Sequence, residues 1–271
     1  MDNLNLAKHA REIRKKIVTM IYDAQSGHPG GSLGATDILT TLYFDEMDIN
    51  KDNLNSIKRD RFVLSKGHTS PALYATLDEK GLLNEDLKSF RQINSNLQGH
   101  PNMNEVAGVD MSTGSLGQGV SAAVGMAIAN KIDEVPYRIY ALLGDGESEE
   151  GIVWEAMMAA AHYKLDNLCI IFDQNGLQID GRVSDVINPL PLKEKLLAFG
   201  LNVVEIDGHN FDEIKKALAI AKETKGKPTA IVAHTIKGKG VSYMEDNASW
   251  HGAAPNKEQY DLAMAELKEE A

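Results

Sequence analysis

Apolar positions along the chain recur with two periods, and the alternation of those periods predicts the fold. Between residues 4 and 25, Leu6, Ala10, Ile13, Ile17, Met20, Ile21 and Ala24 fall at helical spacing among charged residues, the pattern of an amphipathic helix with one buried stripe. The next six residues, Ser26-Gly27-His28-Pro29-Gly30-Gly31, are dense in turn formers and predict a loop. A helix is expected over 34–46, a short strand over Arg61–Ser65, and helices over 70–80 and 84–92, the second capped by Asn84. Ser112 to Gly119 opens a helix of small residues that runs to Ile132. Two apolar runs, Ile139–Leu143 and Leu168–Phe172, flank a stretch with Ile152, Val153, Ala156, Met157, Ala160 and Ala161 at helical period. That is strand, helix, strand, the repeating unit of a parallel sheet. A helix at 192–199, a strand at 202–206, a helix at 211–224, a strand at 229–234 and a C-terminal helix from Asn256 continue the series. The expected fold is α/β: one doubly wound parallel sheet with helices on both faces, a single domain over 1–271.

Composition narrows the partners rather than the fold. The net charge of −11 argues against nucleic acid and anionic membranes. The first residues are polar and lack a signal pattern, and no apolar run approaches the roughly 20 residues that span a bilayer, so a cytoplasmic location is expected. The single Cys169 lies inside an apolar run and reads as a small buried hydrophobe.

The strand–helix–strand unit carries the sharpest chemistry. Gly144-Asp145-Gly146 directly follows the first strand, and Asn175, 30 positions after Asp145, directly follows the second. Both therefore belong to the carboxyl edge of the sheet, where open α/β sheets bind ligands. A carboxylate beside a neutral amide oxygen suits Mg²⁺, which takes a few protein oxygens and completes its shell with water and phosphate. The glycines admit close backbone approach, and the following helix is expected to offer free N–H groups to an anion. Glu147, Glu149 and Glu150 at its start suit the helix dipole but repel a bare phosphate, so a cation between them is the better arrangement.

Eight histidines are present, and five touch a glycine: His28, His68, His100, His209 and His251. A solvated loop residue is the ordinary reading of any one of them, yet several near one sheet edge suggest a site of neutral donors and acceptors, suited to proton transfer and sugar hydroxyls. No HxxxH or Cys-His spacing supports zinc. Lys237 and Lys239, set between glycines, read equally as phosphate partners or as a solvated loop. His209 reads as a turn residue.

Taken together, SGHPGG at 26–31, RFVLSKGH at 61–68, QGHP at 98–101, STGSLGQG at 112–119, GDGESEEG at 144–151, FDQNGLQIDG at 172–181 and WHG at 250–252 resemble the N-terminal, diphosphate-binding domain of transketolase. The resemblance implies thiamine diphosphate and Mg²⁺ as cofactors. It implies that Asp145, Asn175 and the Leu177 carbonyl bind the metal, and that Gly146 and Glu147 approach the diphosphate through their backbone. His68 and His251 would lie by the diphosphate, with Gly114, Ser115 and Leu116 lining the cleft and Lys237 beside it. His28, His100 and His251 would act on the substrate. Glu150 matches a position at the subunit interface of the family, or is a solvated carboxylate. Ser32 and Leu33 stand where the long-chain members often have Pro and Leu, so the departure is at Ser32.

The family's polypeptides usually continue into pyrimidine-binding and C-terminal domains, so the resemblance implies a split enzyme. Its C-terminal subunit would supply the pyrimidine domain in an α₂β₂ complex, with sugar phosphates as substrates and ketol transfer as the reaction. Three other readings stand beside it: a deoxyxylulose-phosphate synthase-like or specialised-pathway enzyme, the α subunit of a 2-oxoacid dehydrogenase, and a non-catalytic regulatory domain. SGHPGG and LSKGH favour the transketolase group.

Overall fold

A computed structural model describes residues 1–268. Ten α-helices among them are α1 (Asn3–Ala24), α2 (Pro29–Gly34), α3 (Thr36–Thr41), α4 (Ser70–Glu79), α5 (Gln118–Asp133), α6 (Gly151–His162), α7 (Val183–Val186), α8 (Leu192–Ala198), α9 (Phe211–Glu223) and α10 (Lys257–Glu266). The strands are β1 (Arg61–Leu64), β2 (Ile139–Gly144), β3 (Leu168–Gln174), β4 (Leu177–Gln178), β5 (Gly181–Arg182), β6 (Asn202–Asp207) and β7 (Thr229–His234). Five of them form a sheet in the order β1-β2-β3-β7-β6, and every pairing in it is parallel. The doubly wound α/β expectation is met.

Strand side chains alternate between two cores. Phe62, Leu64, Tyr140, Leu142, Cys169, Ile171, Ile231 and Ala233 face the layer that includes α1, α3, α4 and α9. Val63, Ala141, Leu143, Ile170, Phe172 and Val232 face α5, α6 and α8. Central strands buried on both faces read as continuous apolar runs, which is why the period-2 signal is absent and the runs are conspicuous. Cys169 is fully buried, as expected.

Neighbouring strands β3 and β7 send their chains to opposite faces. The segment after β3 leads to α8 on one side, and the segment after β7 packs Val241, Met244 and Trp250 into the core of the other. A crevice therefore opens outside their carboxyl ends. Register sets what enters it: Gly144 pairs with Asp173 and Gln174 with His234, so Asp145, Asn175 and the stretch from Thr235 to Lys237 leave the sheet side by side.

Several local expectations are corrected. Pro29-Gly30-Gly31 is helix α2, not loop: Pro29 stands at the first turn, where its missing N–H costs nothing. Its glycines serve close packing, because a Cβ on Gly30 would lie 2.9 Å from both Lys237 Cγ and the Trp250 carbonyl oxygen. The helix expected over 34–46 is α3 continued by a π-turn at Leu42–Glu46. The helix expected over 84–92 is one 3₁₀ turn, Leu87–Ser89, capped by Asp86 rather than Asn84. Helix α5 begins at Gln118, after the Ser-Thr-Gly segment instead of with it. The hairpin β4–β5 lies within a stretch the sequence pattern leaves unassigned.

Candidate active site

The crevice is a cleft of about 250 Å³. On one wall four imidazoles gather from four separate stretches of chain. His28 lies 5.3 Å, 6.4 Å and 5.4 Å, centroid to centroid, from His68, His100 and His251, and His68 lies 5.0 Å from His251. His28 caps the start of α2. His68 sits in the 3₁₀ turn after β1, and His251 follows another such turn at Ala248–Trp250. His100 packs against Gly114, where a Cβ would come within 3.1 Å of the ring.

Each of these rings is held neutral. Burial is the main cause throughout, and neighbouring cations add to it. His28 is lowered to about 4, with Arg91 the foremost charge. His251 is lowered to about 3, with Lys237 foremost. His68 is well below the usual imidazole value beside Lys66, and His100 is lowered beside Arg91. The Lys237 ammonium donates to His251 Nδ1 at 2.9 Å, so the proton of the neutral His251 ring resides on Nε2. Lys237 is itself lowered to about 8, by burial first and then by Lys66.

The floor holds the acids. Asp173 is fully buried and pairs with the equally enclosed Lys66, whose charge holds its carboxyl below the ordinary range despite the burial. Asp145 accepts from Gly146 N–H at 2.9 Å and Gly176 N–H at 2.5 Å. Burial, then the charge on Asp173, pushes its pKa up to about 6. The Asn175 side-chain oxygen accepts Leu177 N–H at 3.1 Å, and the Leu177 carbonyl accepts from Lys237 at 3.5 Å.

Glu147 is turned inward. Its carboxylate accepts from Ser65 Oγ at 2.5 Å, Gly117 N–H at 2.8 Å and Gly144 N–H at 3.1 Å. The side chain thus ties β1, the entry to α5 and the end of β2 together. The helix expected directly after Gly146 is displaced: a 3₁₀ turn spans Gly146–Glu149, and α6 starts only at Gly151. Its free N–H groups therefore lie beyond the Gly-Asp-Gly turn. Glu149 accepts from Gln178 at 2.7 Å, while Glu150 is exposed.

Gly114, Leu116, Gly146, Asn175, Leu177 and Lys237 line the cleft with the histidines and Asp145. Ser115 is exposed and stands outside that lining. The two lysines part company, since Lys239 pairs with Glu245 at 3.5 Å away from the cleft. His209 is a structural residue. Its Nδ1 bonds Asp37 at 2.8 Å, and its Nε2 accepts Ile236 N–H at 2.8 Å. Lys66, Gln178 and Ile179 also line the cleft and are not singled out by sequence reasoning. The Lys of LSKGH, directly before the Gly-His pair, carries the signal that marks Lys66.

A carboxylate, an amide oxygen and a main-chain carbonyl make a hard-oxygen set that fits a divalent cation. The raised Asp145 pKa marks a carboxylate in want of positive charge. No cluster of three His, Cys, Asp or Glu side chains with metal-holding geometry occurs among the described residues. Gly31, also in the cleft lining, has no room for a side chain: a Cβ would stand 2.9 Å from Thr69 Cγ2.

Sheet, crevice and donor set are those of an α/β domain that holds a diphosphate through a cation. The family model described as transketolase, thiamine diphosphate binding domain, matches residues 6–269, and the chain belongs to the transketolase family. It is 46% identical over 271 residues to the 6-deoxy-6-sulfo-D-fructose transketolase subunit SqwG of a Clostridium species, covering 99% of this chain and 98% of that protein. Over 257 residues it is 44% identical to one of the subunits of apulose-4-phosphate transketolase from Phocaeicola vulgatus, covering 94% of this chain and 91% of that protein. The crystal structure of Campylobacter jejuni transketolase superposes with a TM-score of 0.92 at 39% identity, covering 98% of this chain but 43% of that one. The chain thus spans about two fifths of the solved transketolases it matches. The family's cofactors are thiamine diphosphate and a divalent cation.

Proposed function

We propose that this chain is the diphosphate-binding subunit of a transketolase built from two kinds of polypeptide. The enzyme moves a two-carbon ketol unit from a ketose phosphate to an aldose, using thiamine diphosphate and Mg²⁺. The observation that carries this reading is the match along nearly the full length of relatives that are themselves named as subunits. The partner is a C-terminal subunit with the pyrimidine-binding domain, in an α₂β₂ assembly in the cytoplasm. Ile179, exposed at 67% in the cleft lining, and the exposed Val186 and Ile187 shortly after it in the chain support a partner that covers them.

The geometry supports the following roles. Asp145, the Asn175 amide oxygen and the Leu177 carbonyl hold Mg²⁺. The backbone of Gly146 and Glu147 would approach the diphosphate, while the Glu147 side chain keeps that turn in shape. The Lys237 ammonium neutralises anionic charge at the same end of the cleft. Thiamine diphosphate, when bound, supplies the electron sink for cleaving and forming the carbon–carbon bond. Neutral His28 and His100 hydrogen-bond the substrate hydroxyls and move the proton of the hydroxyl at the bond that breaks. His251 donates from Nε2 to oxygen at the reacting carbon. Preorganised donors of this kind need no reorganisation as charge develops.

Transfer from xylulose 5-phosphate to ribose 5-phosphate, assayed for the chain alone and with a candidate partner, tests the proposal. Activity only in the mixture is expected, and activity of the chain alone contradicts the divided site. The relatives' names favour a second reading in which the donor is a less common sugar. Apulose 4-phosphate and 6-deoxy-6-sulfo-D-fructose are therefore assayed in parallel, and an assembled, cofactor-loaded complex inactive on all three overturns the assignment.

A further inference from the structure

The loops carrying His28 and His100 are separated by some seventy residues of sequence, and one side chain bridges them. Arg91 Nη1 donates to Ser26 Oγ at 3.0 Å, two residues before His28. Its guanidinium lies flat against Gly99, directly before His100, where a Cβ would stand 2.5 Å from Nη2, 2.6 Å from Cζ and 2.8 Å from Nε. The Arg91 N–H donates to the Leu97 carbonyl at 2.9 Å and the residue is left-handed, with φ of 57°. The side chain is thereby turned back between the two loops. The His100 loop is fixed from its other side by α4, where Ser70 Oγ bonds the Gly99 carbonyl at 2.9 Å and Tyr74 Oη the Gln98 carbonyl at 3.0 Å. The His28 loop has its own ties on the far side, from the Gly238 N–H to the Gly30 carbonyl at 2.8 Å and from Lys66 Nζ to the Gly31 carbonyl at 3.4 Å, so Arg91 joins two separately anchored loops. Arg91 is absent from the cleft lining, so it acts through the two histidines.

We propose that Arg91 is a positioning residue for proton handling: it staples the His28 loop to the His100 loop and keeps a fixed positive charge behind both rings. This rests on the reading that His28 and His100 act on substrate hydroxyls. The groups facing His28 are His68, His100, His251, Arg91 and Lys237, and those facing His100 are Arg91 and His28. Arg91 is the charge that both share, and after burial it is the leading influence on each. A permanent cation there opposes protonation of either ring, so both stay able to accept a proton at neutral pH.

Imidazole titrations by NMR on the full chain, and pH profiles of kcat/KM in the assembled enzyme, test the proposal. In Arg91→Gln the His28 and His100 pKa values should rise by roughly half a unit or more, and the acid limb of the profile should move to higher pH with them. Gly99→Ala keeps the charge but displaces the guanidinium from its seat. It should lower kcat with little change in KM and leave the limb within the wild-type range. Unmoved titrations in Arg91→Gln, or full kcat in Gly99→Ala, overturn the proposal. Should Arg91→Gln fail to fold, Arg91→Lys replaces it: full kcat/KM there removes the staple. The titrations need no reaction, so they separate failure of this proposal from failure of the ketol-transfer reading.

Discussion

His251 is where the electrostatics and the proposed proton chemistry of the cleft meet. With Nδ1 occupied by the Lys237 ammonium, only Nε2 carries a transferable proton, and the ring stays neutral far below pH 7. His251→Ala should lower turnover of the assembled enzyme by about 10²–10³-fold while leaving cofactor binding detectable by calorimetry; unchanged turnover removes it from the mechanism. Asp145 makes the opposite case. Asp145→Asn relieves the carboxylate of its repulsion by Asp173, so the cation-free chain should be no less stable in denaturant titration. The same change takes charge from the oxygen set and should abolish Mg²⁺-dependent binding of thiamine diphosphate. Retained binding at wild-type affinity excludes Asp145 as a metal ligand. Asp145 is visible in the sequence because glycines flank it at a strand end, and His251 because it stands beside a glycine in a loop. The partner of each is not, because Asp173 reaches Asp145 through the pairing of β2 with β3 and Lys237 reaches His251 only when the segment after β7 folds back on itself.

At the scale of elements, the loop after β7 is held from behind by a buried chain of polar contacts. Arg14 pairs with Asp37, Asp37 accepts from His209, and His209 accepts from Ile236 N–H, next to Lys237. His209→Ala leaves the Ile236 N–H without its partner and takes one of two donors from Asp37 Oδ2, which Arg14 still holds, and should destabilise the chain by about 1–3 kcal/mol. It should also loosen Lys237 and weaken cofactor affinity, as read by calorimetry alongside denaturant titration; a loss of stability with unchanged affinity would confine His209 to folding. Strands and long helices are legible in the sequence because their apolar period survives burial. The short elements are not. Gly30 and Gly34 signal close packing against Lys237, Trp250 and Ile236, and a reading of glycine as a loop former mistakes α2 for a turn. In the 84–92 stretch only Leu87 and Phe90 are strongly apolar, and the left-handed Arg91 ends the turn to serve a contact distant in sequence. That a solvated-looking arginine braces two histidines is invisible to periodicity.

For the whole molecule, the four imidazoles collected at one sheet edge make stability depend on pH in a direction that can be worked out. His28 near 4, His251 near 3, and the lowered His68 and His100 bind protons less readily folded than unfolded, where histidine titrates near 6.5. Between about pH 6.5 and 4 the unfolded chain takes up more protons, so stability present at neutral pH is lost as pH falls. Each fully depressed ring contributes at most about 1.4 kcal/mol per pH unit, and the exposed His100 less. Asp145, held near 6, and Glu147, also raised, work against this, because they keep protons in the fold that the unfolded chain releases above its ordinary carboxyl pKa. Asp60 and Glu149 are raised as well and offset further, whereas Asp37, Glu79, Asp166, Asp173 and Glu205 are lowered and lose their contribution at the acid end. The depressed groups are the majority, and the denaturation midpoint of the cation-free chain should fall over this window. Saturating Mg²⁺ and thiamine diphosphate should steepen the fall, since a cation on Asp145 brings its pKa down and removes one of the offsets. His251→Asn should flatten it by removing one of the four depressed rings. Chemical denaturation at half-unit pH steps, with and without cofactor, reads all three slopes. A midpoint independent of pH over this range would mean that the histidine wall is not held neutral by the fold, and with it would go the argument that these rings are ready to accept a proton at the pH where the enzyme works.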